Sequence, residues 1–244
     1  MELAGRVVII TGASSGIGAA TARLVHGLGA TPVLAARRVE RLQALARELP
    51  GALVLPTDMR NHEEIHRLVT TGFERLGRID VLVNNAGQGL HVPVEQVELD
   101  DLIAVTELNV YGPLLAMQAV IPIMRRQGAG AIVNVSSGTT RMVLPGVGPY
   151  AATKSALNML SQVAREELAA DGIAVSLVYP AVTSTEFHQA LRAGRITGVG
   201  KPGEAGRPAP HGADYVALAI ARAIRTGEAE VVIPYGPERP DEMR

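Results

Sequence analysis

The chain of 244 residues has no cysteine and no tryptophan, and only two phenylalanines and two lysines. Without cysteine there is no disulfide, no thiolate nucleophile and no cysteine-ligated zinc. With aromatics at 3%, the core has to be aliphatic, built from Val, Leu, Ile and Ala. Blocks of like charge are missing as well. The 23 Lys+Arg stand against 24 Asp+Glu, mixed along the chain for a net charge of −1. That balance offers no basic face to nucleic acid or to an anionic membrane. Long apolar runs are also missing. Val7–Ile10 is too short for a signal-peptide core, and no segment nears the ~18 apolar residues of a membrane span. The expectation is a soluble, cytoplasmic protein folded as one α/β domain with a full core.

Scarce lysine makes its position informative. All other cations are arginine, yet Lys154 follows Tyr150 by four residues in Tyr150-Ala-Ala-Thr-Lys154. On a helix, residues four apart share one face. A free phenol titrates near ~10 and is a poor acid or base at neutral pH, and a nearby cation lowers that value. A compact ammonium can reach both a phenol and a ribose hydroxyl, which a planar guanidinium does poorly. Ser137, thirteen residues upstream of Tyr150, is placed to hydrogen-bond the same substrate oxygen.

Short β-branched runs alternate with helical patterns. Strands are predicted near Val7–Thr11, Pro32–Ala36, Ala52–Pro56, Val81–Asn84, Ala131–Ser136, Val175–Val178 and Glu230–Ile233. Helices are predicted near Gly16–Leu28, Val39–Leu49, His62–Leu76, Val97–Val105, Val110–Arg126, Tyr150–Ala170 and Ala213–Arg225. Strands this apolar, separated by helices, imply a parallel sheet covered on both faces. The fold class is therefore α/β, a single-domain doubly wound Rossmann fold with a seven-stranded parallel sheet. Its cofactor half spans about 1–130 and its catalytic and substrate half about 131–244. Residues 192–212 hold six glycines and three prolines. A loop this long beside a strand's carboxyl end reads as a substrate-covering lid, about 186–212, with a short helix around Phe187–Leu191.

Gly12, Gly16 and Gly18 follow the first strand and open the first helix. There they allow a tight turn and bring backbone amides to a pyrophosphate at the positive helix end. An acidic residue at the end of the second strand would accept a ribose 2′-hydroxyl. Ala36-Arg37-Arg38 stands there instead, and guanidinium groups pair with phosphate, so NADP(H) is expected over NAD(H). Asp58, after the third strand, is placed for the adenine amino group. Asn84-Asn85-Ala86-Gly87 ends the fourth strand with small residues against the adenosine side. Asn109 falls inside a helical stretch where asparagine is a poor helix former, which suggests a kink or a bound water.

These motifs, in this order and spacing, resemble the short-chain dehydrogenase/reductase family of the NADP-preferring kind, from about Gly5 to Ile233. The resemblance implies a catalytic tetrad of Asn109, Ser137, Tyr150 and Lys154. Tyr150 is then the acid/base, and Lys154 lowers its pKa while holding the nicotinamide ribose. Ser137 orients the carbonyl, and Asn109 anchors a water that relays protons past Lys154. It further implies cofactor contacts from Gly12, Ser14, Ser15, Gly16, Ile17, Gly18, Arg37, Arg38, Asp58, Met59, Asn85, Ala86, Gly87, Tyr150, Lys154, Pro180, Thr183 and Thr185. The family's Pro-Gly after the sixth strand is Pro180-Ala181 here, a local departure. The resemblance also implies a homotetramer or homodimer.

His62-Glu-Glu-Ile-His66 matches the His-Glu-x-x-His pattern of zinc proteases. A catalytic zinc needs a third protein ligand, and none follows at a suitable spacing. Asn61 and Glu64 make better sense as a helix cap. No metal is expected. A carbonyl reductase/alcohol dehydrogenase acting on a small, largely apolar molecule is the leading reading. The pocket draws on Gln88, Leu90, Met142, Val143 and Leu144, with His188 reaching in from the lid. A non-catalytic dinucleotide-sensing or scaffolding protein on the same fold is the alternative from another class. A 3-oxoacyl-carrier-protein reductase is a narrower one, favoured by Arg125 and Arg126 but not by Gln88-Gly-Leu-His91.

Overall fold

Val7–Thr11 (β1) is an apolar, β-branched run in which every residue is buried, the pattern of a strand covered on both faces. Val81–Asn84 (β4) and Gly130–Val135 (β5) are likewise buried throughout, and Thr31–Ala36 (β2) and Ile173–Tyr179 (β6) nearly so. Leu53–Pro56 (β3) and Glu230–Val232 (β7) are less buried because they form the two edges. The structure, a computed structural model, describes residues 1–194 and 209–237, and of His188 and Gln189 the backbone only. The expected lid falls partly outside the described residues, which omit 195–208.

The seven strands are parallel in the order β3-β2-β1-β4-β5-β6-β7. Successive side chains point to opposite faces, so each strand feeds two cores. Val8, Ile10 and Leu34 meet helices Gly16–Gly27 (α1), Val39–Glu48 (α2) and Ala213–Thr226 (α7) on one face. Ile9, Val33 and Leu82 meet His62–Leu76 (α3) and Gly112–Gln127 (α5) on the other. This is a doubly wound Rossmann-type sheet in a single domain, and its chain order reverses between β1 and β4. Ligands of such sheets bind at that switch point, outside the strands' carboxyl ends.

Three of the expected helices differ in the structure. The expected Val97–Val105 and Val110–Arg126 are one continuous rod: Leu99–Thr106 (α4), a π-helical turn Glu107–Tyr111, then α5. The helix expected from Tyr150 begins at Gly148 and runs to Leu168 (α6), because Pro149 fits the first turn, where its missing N–H costs nothing.

Asp80, just before β4, is 2% exposed. Its carboxylate accepts from the Val7 amide at 2.9 Å, Arg6 at 3.1 Å, and Arg78 Nε and Nη2 at 2.7 and 2.6 Å. Burial opposes the charge, but Arg78, the Val7 amide and Arg6 outweigh it and hold the carboxyl below 3.8. The stability this adds is present above 3.8 and is lost as pH falls through the depressed folded value. Asp80→Asn is expected to destabilise by about 1–3 kcal/mol at pH 7 in chemical denaturation, with the difference closing in acid. An equal loss at pH 7 and pH 2 would show that packing, not charge, holds this corner.

Candidate active site

Gly12 and Gly16 have φ of +69° and +52°, the left-handed region that favours glycine. A Cβ on Gly18 would lie 2.3 Å from the Gly12 carbonyl oxygen, and one on Gly12 would lie 2.8 Å from Asn85 Nδ2. The turn is therefore bare backbone at the N-terminus of α1, a surface that suits a pyrophosphate. Ile17 packs against the core. Thr11 Oγ1 accepts from the amides of Asn85 and Ala86 at 3.0 Å each, and Asn85 Nδ2 donates to the Thr11 carbonyl at 2.9 Å. The Asn85 side chain thus braces the turn, while Ala86 and Gly87 offer backbone.

At the adenosine end, Arg38 donates from Nε to Ser14 Oγ at 3.1 Å and from Nη2 to Ser15 Oγ at 2.5 Å. Its Nη1 reaches Glu186 at 2.9 Å, and Arg41 Nη1 donates to the same carboxylate at 2.8 and 2.6 Å. At the Glu186 carboxylate, Arg38 is joined by Arg41 and not by Arg37. Arg37 is exposed and acts electrostatically on Asp58, and Arg41, one helical turn further on, is the second cation. Arg60 binds Asp58 at 2.9 Å and holds its carboxyl below the usual carboxylate range. An open depression of about 480 Å³ lies beside Asp58, lined also by Arg60, Asn61 and His62. Met59 does not face it: its side chain is buried in the core and its carbonyl abuts Gly112.

The four tetrad positions converge. Tyr150 and Lys154 lie one turn apart on α6 and are 6% and 4% exposed, and Asn109 is fully buried. Ser137 lies beside Tyr150 and pulls its pKa down, while its Oγ accepts from Thr139 N and Oγ1 at 3.2 and 2.9 Å. Ser136, its neighbour, points away to Asn158, as strand alternation requires. Asn109 sits in the π-helical turn, a deformation frequent at functional sites. Its amide joins the Gln88 amide and carbonyl at 2.9 Å each and Thr153 Oγ1 at 3.0 Å, and Thr153 in turn donates to the Tyr150 carbonyl. Thr153 had no role in the sequence reading. A Cβ on Gly87 would lie 3.2 Å from Asn109 Oδ1 and 3.4 Å from Lys154 Nζ, so glycine keeps this junction open.

Burial governs both titrating groups of the pair. Burial pushes the Tyr150 phenol up to about 12, against a weaker pull from Ser137. Burial likewise pushes Lys154 down to about 8, and its Nζ donates to the Val135 carbonyl at 2.9 Å.

Above Tyr150, the rings of His91 and Phe187 lie 5.6 and 5.7 Å from it, both tilted. Neither aromatic was singled out from sequence, because 96 residues separate them. The segments carrying them pair through Arg192 N to Gly89 O, His91 N to Ala193 O, and Gln88 Nε2 to Ala190 O. Leu90 is fully buried, whereas Val143 is 99% exposed and Met142 and Leu144 lie at the surface. The His188 side chain lies outside the described residues.

After β6, Pro180 and Ala181 pass beside Gly138, and no described non-glycine residue has positive φ, so alanine fits there without strain. Thr183 is buried and donates to the Ala181 carbonyl. Thr185 caps a 3₁₀ turn at Glu186–Gln189 and touches the glycine turn: a Cβ on Gly16 would lie 3.1 Å from its methyl. On α3, Asn61 accepts the Glu64 amide as the expected cap, and Glu64 accepts from the Asp58 amide. Among the described residues no cluster of three His, Asp or Glu side chains could hold a metal. No described helix is long and apolar enough to cross a membrane.

The short chain dehydrogenase family model matches residues 6–196. An uncharacterised oxidoreductase of Staphylococcus saprophyticus is 37% identical over 186 residues, 75% of this chain and 76% of its own length. A short-chain dehydrogenase/reductase of Burkholderia phymatum, solved with NAD, superposes with a TM-score of 0.85 at 28% identity, over 95% of this chain and 90% of that one. One of Burkholderia cenocepacia, solved with NADP, gives 0.81 at 27%, over 96% and 90%. Fold, glycine turn, buried Tyr150–Lys154 pair and matched length agree, and the chain belongs to the short-chain dehydrogenase family.

Proposed function

We propose that the protein interconverts a carbonyl and a secondary alcohol with NADP(H), Tyr150 moving the proton. The observation that carries this reading is the buried junction of Ser137, Tyr150, Lys154 and Asn109 beside a glycine turn with no room for side chains. The bare turn fits a dinucleotide pyrophosphate, with Arg38 and Arg41 beside it for a 2′-phosphate and the Thr185 methyl against Gly16. The nicotinamide, when bound, supplies or accepts hydride.

Tyr150 Oη gives its proton to the carbonyl oxygen as negative charge grows there, and Ser137 Oγ orients the same oxygen. A phenol raised to about 12 is fully protonated at neutral pH, which suits reduction. Alcohol oxidation needs the phenolate, which a nearby Lys154 ammonium favours. Asn109, fixed by Gln88 and Thr153, keeps α6 registered against the loop after β4. His91 and Phe187 exclude water from the phenol. The relay water expected at Asn109 remains part of this proposal, as does a cytoplasmic location. Met159 and Val163, exposed on α6 at 61% and 46%, support assembly as a dimer or tetramer.

The test is a titration of the purified protein with NADPH and NADH, followed by reduced-nicotinamide fluorescence, then a carbonyl panel with the tighter cofactor. Tighter NADPH binding with turnover is the expected result. Binding without turnover on any carbonyl would favour a sensing role, and binding of neither cofactor in folded protein would overturn the reading.

A further inference from the structure

Arg38 and Arg41 face the ribose end of the glycine turn, yet they do not stand free. One carboxylate, that of Glu186, accepts from both: Arg38 Nη1 at 2.9 Å and Arg41 Nη1 at 2.8 and 2.6 Å. The other two donor positions of Arg38 go to Ser14 and Ser15. Glu186 comes from 145 residues away in sequence, and its position is built rather than accidental. Thr185 caps the turn that carries it, accepting the Phe187 amide at 3.3 Å, while the Thr185 methyl rests on Gly16. The carboxylate is thus tethered to the dinucleotide turn itself.

We propose that Glu186 is a cofactor-specificity residue, an internal anion that holds the two guanidinium groups a 2′-phosphate requires and thereby narrows the preference for NADP(H). The inference rests on the proposed NADP(H) reading. A phosphate monoester brings about −1.5 to −2 charge near neutral pH and wants the same bidentate donors as a carboxylate. Two anions on one pair of cations repel, so the phosphate binds only as Glu186 withdraws from them. A free 2′-hydroxyl makes no such demand, and Glu186 stays in place for NAD(H). The penalty falls on one cofactor alone.

The test uses the full chain and measures binding, not turnover. Wild type, Glu186→Gln and Arg38→Ala are titrated with NADPH and NADH, and 2′,5′-ADP and 5′-AMP compete to isolate the phosphate. Glu186→Gln is expected to tighten NADPH and 2′,5′-ADP by about three- to tenfold, the size of two exposed arginine–carboxylate contacts. NADH and 5′-AMP should be unchanged, and the gain should shrink in high salt. Unchanged or weaker NADPH binding in Glu186→Gln, with Arg38→Ala still losing NADPH selectively, would overturn the role of Glu186 and leave the NADP(H) reading intact. Weaker NADH binding in Glu186→Gln would also overturn it, by showing that the carboxylate serves a ribose hydroxyl. An unchanged NADPH-to-NADH ratio in Arg38→Ala would overturn the reading and the inference together.

Discussion

Tyr150→Phe is expected to bind NADPH within about twofold of wild type and to lose about 10²–10⁴-fold in turnover, the usual weight of a positioned proton donor. The phenylalanine ring keeps the contacts to His91 and Phe187 that Tyr150 makes at 5.6 and 5.7 Å. Only the hydroxyl and its interaction with Ser137 are lost. Binding draws mainly on the glycine turn and the arginines, on the other side of the switch point. Fluorescence titration and steady-state reduction of a carbonyl substrate separate the two effects. Turnover within tenfold of wild type would move the proton source to Ser137 or to water. A parallel loss of binding would show that the ring, not the hydroxyl, was disturbed.

Lys154→Met is expected to do two opposite things: lower turnover by about a hundredfold or more and raise stability at pH 7. The ammonium is 4% exposed, and its Nζ hydrogen bond in the folded chain goes to the Val135 carbonyl. Burial lowers its pKa from 10.5 to about 8, which corresponds to ~3 kcal/mol at 1.36 kcal/mol per pH unit. Losing the bond to Val135 returns part of that, so a net gain of about 1–2 kcal/mol is expected at pH 7.

The sign follows from proton counts. Below pH 8 both states of the wild type hold the proton, and the burial penalty is present in full. From about 8 to 10.5 the unfolded chain holds a proton that the folded chain has shed, so wild-type stability climbs toward that of the variant. Above 10.5 neither state carries it and the gap has closed. Tyr150 contributes a slope of opposite sign between 10 and about 12, but it is common to both proteins and cancels. Denaturation at pH 7 and pH 10 measures the gap. A variant less stable at pH 7 would mean the bond to Val135 outweighs the cost of burying the charge.

Much of this was legible in one dimension. The strands read as apolar runs because a sheet covered on both faces leaves no polar side. The glycine turn and the Asn61 cap followed from local rules of turn and capping, while Ser137 over Ser136 came from the family spacing to Tyr150, with which alternation agrees. Asn109 announced a distortion by being a poor helix former in a helix, and the π-helical turn is that distortion. What was not legible has one cause in common. The contacts of Glu186 with Arg38 and Arg41 escape a sequence reading, which shows which cations follow β2 but not which way α2 turns them. Leu90 and Val143 are both apolar in composition, yet one is enclosed and the other stands in solvent.

The amino-acid sequence by itself determined the strand runs, the order of the elements and the glycine turn, because each depends on residues within a few positions of one another, while the tetrad is what the family resemblance implies. Only the tertiary structure decided the electrostatic state of Tyr150 and Lys154, the clasp of Glu186 on Arg38 and Arg41, and the aromatic cover of His91 and Phe187. Burial, and contact between segments far apart in the chain, set those. Desolvation and charge pairing depend on the distances that folding creates.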